Sequence, residues 1–155
     1  MNPPRELVEL LSSGQLRVAT GIWLLPIEYV GKEEEEAYRL GLEPVDLRNR
    51  LLQSLEPGTK YASLSADTIF RLVNDVSQEY GDWAGALIYN LDLLLARLNT
   101  EERSLIWQDL FAALPHRRRG VLITLPETAS NLLPQEEMLN QWRFDNRFIG
   151  TIKNQ

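Results

Sequence analysis

The sequence predicts an α/β fold, a three-layer sandwich with a mainly parallel sheet, formed by a single domain over residues 1–155. Short apolar runs that are typical of buried strands alternate with segments whose apolar residues recur at helical spacing. Residues that start helices or make turns separate these segments, and no stretch repeats at a fixed period. With 155 residues the chain is long enough to bury one substantial core.

The first half of the chain begins with an amphipathic helix and a buried strand. The stretch PRELVELLSS has proline near a helix start and stops at Gly14. The stretch LRVATGIWLL is rich in β-branched and aromatic residues and ends at Pro26, as a strand would. In chain order we predict a helix over 4–13, a strand over 16–25, a helix over 33–40, a helix capped by Asp46 and a short strand over 61–64.

The second half continues the alternation of helices and strands. Ser65 can cap one helix, and Asn99 with Glu102 three residues later forms a capping pair for another. The continuous apolar runs ALIYNL and VLITLP are typical of central parallel strands. In chain order we predict a helix after Ser65, a strand over 86–91, a helix after Asn99, a strand over 121–126, a helix over 135–142 and a strand over 147–152.

The composition and net charge of the chain exclude several classes of function. The chain has no cysteine and only one histidine, His116, so it cannot form disulfides or a thiolate metal site, and we expect no metal centre. No apolar run is long enough to span a membrane and the first residues do not form a signal peptide, so we expect a cytoplasmic protein. The net charge of −6 disfavours nucleic acid as a direct ligand.

The Gly31-Lys32 pair lies where a phosphate-binding loop would lie, after a predicted strand and before a predicted helix. A P-loop reads G-x-x-x-x-G-K-[ST]. Here Pro26 stands at the first glycine and Glu33 replaces the hydroxyl residue, so two of four fixed positions match. Proline removes a backbone donor, and glutamates at a helix start occupy the place of a phosphate. The alternatives are a helix start that glutamates stabilise, a degenerate loop with a residual ligand, and an active loop.

A nucleotide site would also need an acidic residue at the end of a neighbouring strand. The predicted strand ALIYNL presents Asn90 there, and Asp92 follows two residues later. Since an amide cannot act as a carboxylate base, we expect no catalytic residue and no cofactor. If the loop works nonetheless, the ligand would be ATP with Mg²⁺, and Gly31, Lys32 and Asp92 would bind it.

Two segments are candidates for a surface that binds a protein partner. Arg117, Arg118 and Arg119 lie between a predicted helix and strand, where they could grip a phosphate, act in trans like an arginine finger, or form a solvated turn. Trp142, Arg143 and Phe144 have the aromatic and arginine content that interfaces favour. Alternatively, Trp142 packs the last helix onto the sheet.

The stretch over residues 45–129 resembles the BrxF family, the small P-loop-type component of bacteriophage-exclusion (BREX) defence systems. The resemblance rests on VDLRNRLLQSL, ALIYNLDLLLARL and IWQDLFAALPHRRRGVLITLPETA, in that order. It implies a degenerate P-loop-NTPase-like fold and a non-enzymatic accessory subunit of a multi-protein phage-defence assembly. The family would have a complete P-loop after the first strand, from which Pro26 and Glu33 depart.

Two functions are therefore expected. The first is an accessory or scaffold subunit of a prokaryotic multi-protein assembly, with no working active site. The second is a P-loop-like protein that binds or hydrolyses a nucleotide through a non-standard loop.

Overall fold

A computed structural model describes residues 3–54, 64–79, 81–113 and 118–150, and it contains a five-stranded parallel sheet with helices on both faces. The strands are β1 (Thr20–Leu25), β2 (Glu43–Asp46), β3 (Gly85–Tyr89), β4 (Gly120–Pro126) and β5 (Phe148–Ile149). The α-helices are α1 (Pro3–Ser12), α2 (Glu33–Leu40), α3 (Leu47–Ser54), α4 (Ala66–Gln78), α5 (Leu91–Leu95), α6 (Thr100–Ala112) and α7 (Glu136–Phe144). Two 3-10 helices cover Ile27–Tyr29 and Glu127–Leu132.

The α/β prediction and the parallel sheet are confirmed, with strand order β2-β3-β4-β1-β5. The register pairs Thr20 with Val121 and Ile22 with Phe148, so β1 lies between strands that come about 100 residues later or more. On one face, α1 and α2 cover Trp23, Leu87 and Leu122. The remaining helices cover the other face of the sheet, where the larger apolar cluster lies.

Several predicted helix starts are confirmed by the hydrogen bonds that cap them. The side chains of Asp46, Ser65 and Asn99 accept from the backbone N–H groups three residues later, at distances of 3.2, 3.2 and 2.8 Å. Each bond satisfies a donor that the first helical turn leaves without a partner. Helix α2 ends at Gly41, whose φ of 75° is the left-handed conformation expected after a helix.

The structure differs from the predicted elements at four places. The strand predicted over 16–25 begins only at Thr20. Strand β2 was not predicted, because its four residues EPVD combine a proline with two charges at the edge of the sheet. The strand predicted over 86–91 ends at Tyr89, where Asn90 turns the chain with a φ of 64° and α5 begins. Of the last predicted strand only Phe148–Ile149 is observed, and residues 151–152, like 61–63 of the short predicted strand, lie outside the described residues.

Candidate functional site

The carboxyl ends of β1 and β4 form the point at which the chain connections reverse direction. After β1 the chain turns to α2 on one face of the sheet, whereas after β4 it turns to α7 on the other face. The two strands are direct neighbours. In open α/β sheets such a switch point leaves a crevice at the carboxyl edge, and ligands bind there.

The loop that carries Gly31 and Lys32 lies at this crevice. It begins at Pro26, passes through the 3-10 helix and reaches Gly31, whose φ of 89° suits only glycine without strain. Lys32 is exposed and precedes α2. The predicted strand, Gly-Lys pair and helix are therefore present in the order that a phosphate loop requires.

Two backbone N–H groups of this loop donate hydrogen bonds to glutamate carboxylates. The N–H of Ile27 donates to Oε1 of Glu127 at 3.1 Å, and the N–H of Gly31 donates to Oε1 of Glu33 at 3.1 Å. Pro26 has no N–H to offer. In a phosphate loop, backbone N–H groups point at the bound phosphate. Here two of them are instead bonded to carboxylates of the protein itself.

Glu127 was not predicted from the sequence, although one signal could have identified it. It directly follows Pro126, the last residue of a strongly apolar strand. Because parallel strands end at one edge of the sheet, a polar residue at that place is close to the loop after the neighbouring strand.

The structure also brings Asp92 to this edge, in the first turn of α5. Burial raises the pKa of its carboxyl, and the negative charge of Glu33 raises it further, while the backbone N–H groups of Asp92 and Leu93 oppose the shift. Since Glu33 acts on Asp92, the start of α2 and the start of α5 lie within electrostatic reach of each other.

Tyr89 also lies close to the glutamates at the start of α2. Its hydroxyl donates to Oε1 of Glu34 at 3.0 Å. Burial raises the pKa of Tyr89, and the hydrogen bond and charge of Glu34 raise it further, with smaller effects of Asp46 and Glu33. Among the residues that the structure describes, no group of histidine, cysteine, aspartate and glutamate is arranged to hold a metal ion.

Replacing Asp92 with asparagine is expected to stabilise the protein at pH 7. When folding raises the pKa of a carboxyl, the protonated form favours the folded state and the ionised form disfavours it. The folded state therefore loses stability as the pH rises from 3.8, the ordinary pKa of this carboxyl, through its raised pKa. We expect a gain below about 1 kcal/mol, because the side chain is only half-buried and water screens it. Urea unfolding at pH 7 and pH 3 checks this, with the exposed Asp82→Asn as control. A gain that is equal at both pH values would contradict the electrostatic cause.

The three consecutive arginines do not share one environment. Arg117 lies outside the described residues, Arg118 is exposed and Arg119 is buried. The guanidinium of Arg119 donates to the carbonyl of Val76 at 2.8 Å, to Glu43 at 2.8 Å and to Glu79 at 3.3 Å. Arg119 is therefore part of the interior at the amino edge of the sheet and not of an exposed partner surface.

The residues of the second predicted surface are also divided. Trp142 is fully buried, with ring centroids 6.1 Å from Trp107 and 5.2 Å from Phe111, so it packs α7 onto the sheet as the alternative prediction had it. Phe144, in contrast, is 88% exposed. Arg143 is exposed and lies over the ring of Phe148.

No family model, curated protein or solved structure matches this chain. Within the described ranges, none of the helices is long and apolar enough to cross a membrane.

Proposed function

We propose that this chain is a non-enzymatic interaction subunit of a prokaryotic multi-protein assembly, built on a P-loop-like fold whose phosphate loop no longer binds nucleotide. Phage defence is the process that the BrxF resemblance implies. The observation that carries this proposal is the pair of hydrogen bonds from the loop N–H groups of Ile27 and Gly31 to Glu127 and Glu33.

Electrostatics explains why these bonds argue against a nucleotide. A phosphate oxygen about 4 Å from one carboxylate is repelled by roughly 4 kcal/mol at an effective dielectric of 20, and two carboxylates hold this loop. The exposed Lys32 offers a single compensating charge. Burial is the main cause of the raised pKa values of Asp92 and Tyr89, and the charges of Glu33 and Glu34 add to it.

Calorimetric titration with ATP and Mg²⁺ tests the loss of nucleotide binding. We expect no saturable heat up to about 1 mM ATP, either for the wild-type protein or for Lys32→Ala. Micromolar binding to the wild type that disappears in Lys32→Ala would overturn the proposal. That result would support the alternative function, a P-loop-like protein that binds or hydrolyses a nucleotide. Three features favour this alternative: the positive φ of Gly31, the exposed Lys32 and the nearby Asp92.

The interaction role points to Phe144 and Arg143 as the partner surface. An aromatic ring that is 88% exposed, beside an arginine, has the character of an interface anchor. A photoreactive phenylalanine analogue at position 144 should cross-link a protein partner in cells that naturally express the chain. The same analogue at Leu105, which is 53% exposed on α6, serves as control. Equal cross-linking at both positions, or none at 144, would contradict this surface.

A further inference from the structure

Trp83 differs from the other three tryptophans of the chain in its exposure. Trp23, Trp107 and Trp142 are at most 3% exposed, whereas Trp83 is 37% exposed. The ring of Trp83 lies beside that of Tyr38, which is 56% exposed, and the ring centroids are 5.6 Å apart with an angle of 36° between the planes. The two rings form one exposed aromatic surface, which we call the Tyr38–Trp83 pair.

Backbone hydrogen bonds hold the two rings of the pair in place. Tyr38 lies in the last turn of α2, which ends at Gly41. The carbonyl of Gly41 accepts from the N–H of Ala84 at 3.3 Å, so the residue after Trp83 is fastened to the residue that ends the helix. A surface that is already ordered loses less conformational entropy when a partner binds. The pair is therefore preorganised for binding.

Carboxylates flank the Tyr38–Trp83 pair. Glu34 and Glu35 precede Tyr38 by four and three residues on α2, a spacing that places side chains on the same side of a helix. Asp82 directly precedes Trp83 and is exposed, as are both glutamates. None of these three carboxylates belongs to an ion pair of the described residues. The pair thus lies in a negatively charged part of the surface.

The arginines of α1 and α2 already have acceptors within the chain. Arg39 follows Tyr38 directly, but its guanidinium forms an ion pair with Glu36. Arg5 of α1 donates to the carbonyl of Arg39 at 3.2 Å. Glu34 accepts from the hydroxyl of Tyr89, a neutral donor that leaves the charge of the carboxylate in place. The carboxylates beside the pair therefore remain suited to a cation from another molecule.

We propose that the Tyr38–Trp83 pair is a docking surface for an arginine side chain of a basic protein partner. A guanidinium is planar and stacks on aromatic rings, whose electrons attract its charge. Its N–H groups donate to carboxylates at the rim, here Glu35 and Asp82. The net charge of −6 attracts a basic partner over a longer range. The proposal does not depend on the proposed function, since it holds whether or not the loop at Lys32 binds nucleotide.

A titration with a short peptide in which arginine alternates with alanine, followed by NMR, tests the proposal. We expect saturable shifts of the indole N–H signal of Trp83 and of the amide signal of Tyr38, with a dissociation constant on the order of 1 mM. The same peptide with citrulline, which has the shape of arginine without its charge, should cause no saturable shift. The lysine counterpart should bind about two- to fivefold more weakly, because an ammonium group does not stack as a guanidinium does.

Variants of the chain separate the contribution of stacking from that of charge. Trp83→Leu should weaken binding of the arginine peptide about two- to fivefold, measured at the amide of Tyr38, which is the effect of one exposed cation–π contact. Glu35→Gln should weaken it about threefold and make it less sensitive to salt. This second variant keeps both rings, so its result holds even if Trp83→Leu disturbs the fold. The matched control is Glu101→Gln, which removes an exposed carboxylate of α6 on the other face of the sheet and should leave the affinity unchanged.

Four results would overturn the proposal. The first two are the absence of a saturable shift at Trp83 and equal binding of the arginine and citrulline peptides. Equal binding of the lysine peptide would show recognition of charge without stacking. Equal weakening by Glu101→Gln and Glu35→Gln would show that the peptide follows only the overall negative charge. None of these results changes the expected absence of ATP binding, and micromolar ATP binding would leave this surface untouched, so the two proposals fail separately.

Discussion

Trp142→Ala is expected to lower the free energy of unfolding by about 3–5 kcal/mol, the range for removing a large buried aromatic side chain. Trp142 is fully buried between Trp107 and Phe111, and the guanidinium of Arg147 lies 4.6 Å from its ring centroid. Its indole N–H has no acceptor among the described residues, so the loss arises from packing and not from a hydrogen bond. Guanidinium chloride unfolding followed by circular dichroism measures it.

Phe144→Ala is the control for this prediction, because it removes an aromatic side chain two residues away on the same helix. As Phe144 is 88% exposed, we expect a change within about 0.5 kcal/mol. Together the two variants separate a core residue from a surface residue in a segment that the sequence presents as one cluster. Similar losses in both variants would contradict the placement of α7 against the sheet.

Arg119→Met is expected to lower the free energy of unfolding by about 2–3 kcal/mol. Breaking a buried ion pair from one side costs about 3–5 kcal/mol, because the remaining charge is buried without compensation. Here the loss should be smaller, since the side chains of Glu43 and Glu79 are 33% and 39% exposed and water can reach them. Methionine keeps most of the apolar volume, so the measured loss reports the charge and its hydrogen bonds.

Arg118→Ala is the matched control, since Arg118 precedes Arg119 directly and is exposed. We expect a change within about 0.5 kcal/mol in urea unfolding. Glu79 has a second partner besides Arg119. Its pKa is lowered chiefly by its hydrogen bond to Arg50 and, to a smaller extent, by the charge of Arg119. If Arg119→Met were as stable as the wild type at pH 7, the ion pairs at the amino edge would not contribute to the fold.

The sequence predicted the elements whose signals are local. Capping by Asp46, Ser65 and Asn99 was visible because each side chain satisfies a backbone donor only three residues away. Strands β3 and β4 were visible because both faces are buried, which gives continuous apolar runs. Strand β2 was missed because, at the sheet edge, it is held by backbone pairing to β3 rather than by an apolar pattern.

The candidate site was predicted only in part, for a similar reason. The positions of Gly31, Lys32 and Asp92 at one edge follow from the order of strands and helices. The hydrogen bond from the N–H of Ile27 to Glu127 joins residues that are 100 positions apart, and no local sequence pattern predicts it. The different environments of Arg118 and Arg119 likewise depend on Glu43 and Glu79, which lie far away in the sequence.

The position of β1 between β4 and β5 has a consequence for how the chain folds during its synthesis. Residue 20 pairs with residue 121 and residue 22 with residue 148, so β1 has no partner strand until most of the chain has been made. At about 5–20 residues per second, β1 waits on the order of 5–20 s for β4. During that time α1 and α2 can cover only one face of β1, and the apolar side chains of its other face stay exposed until the later helices have been made.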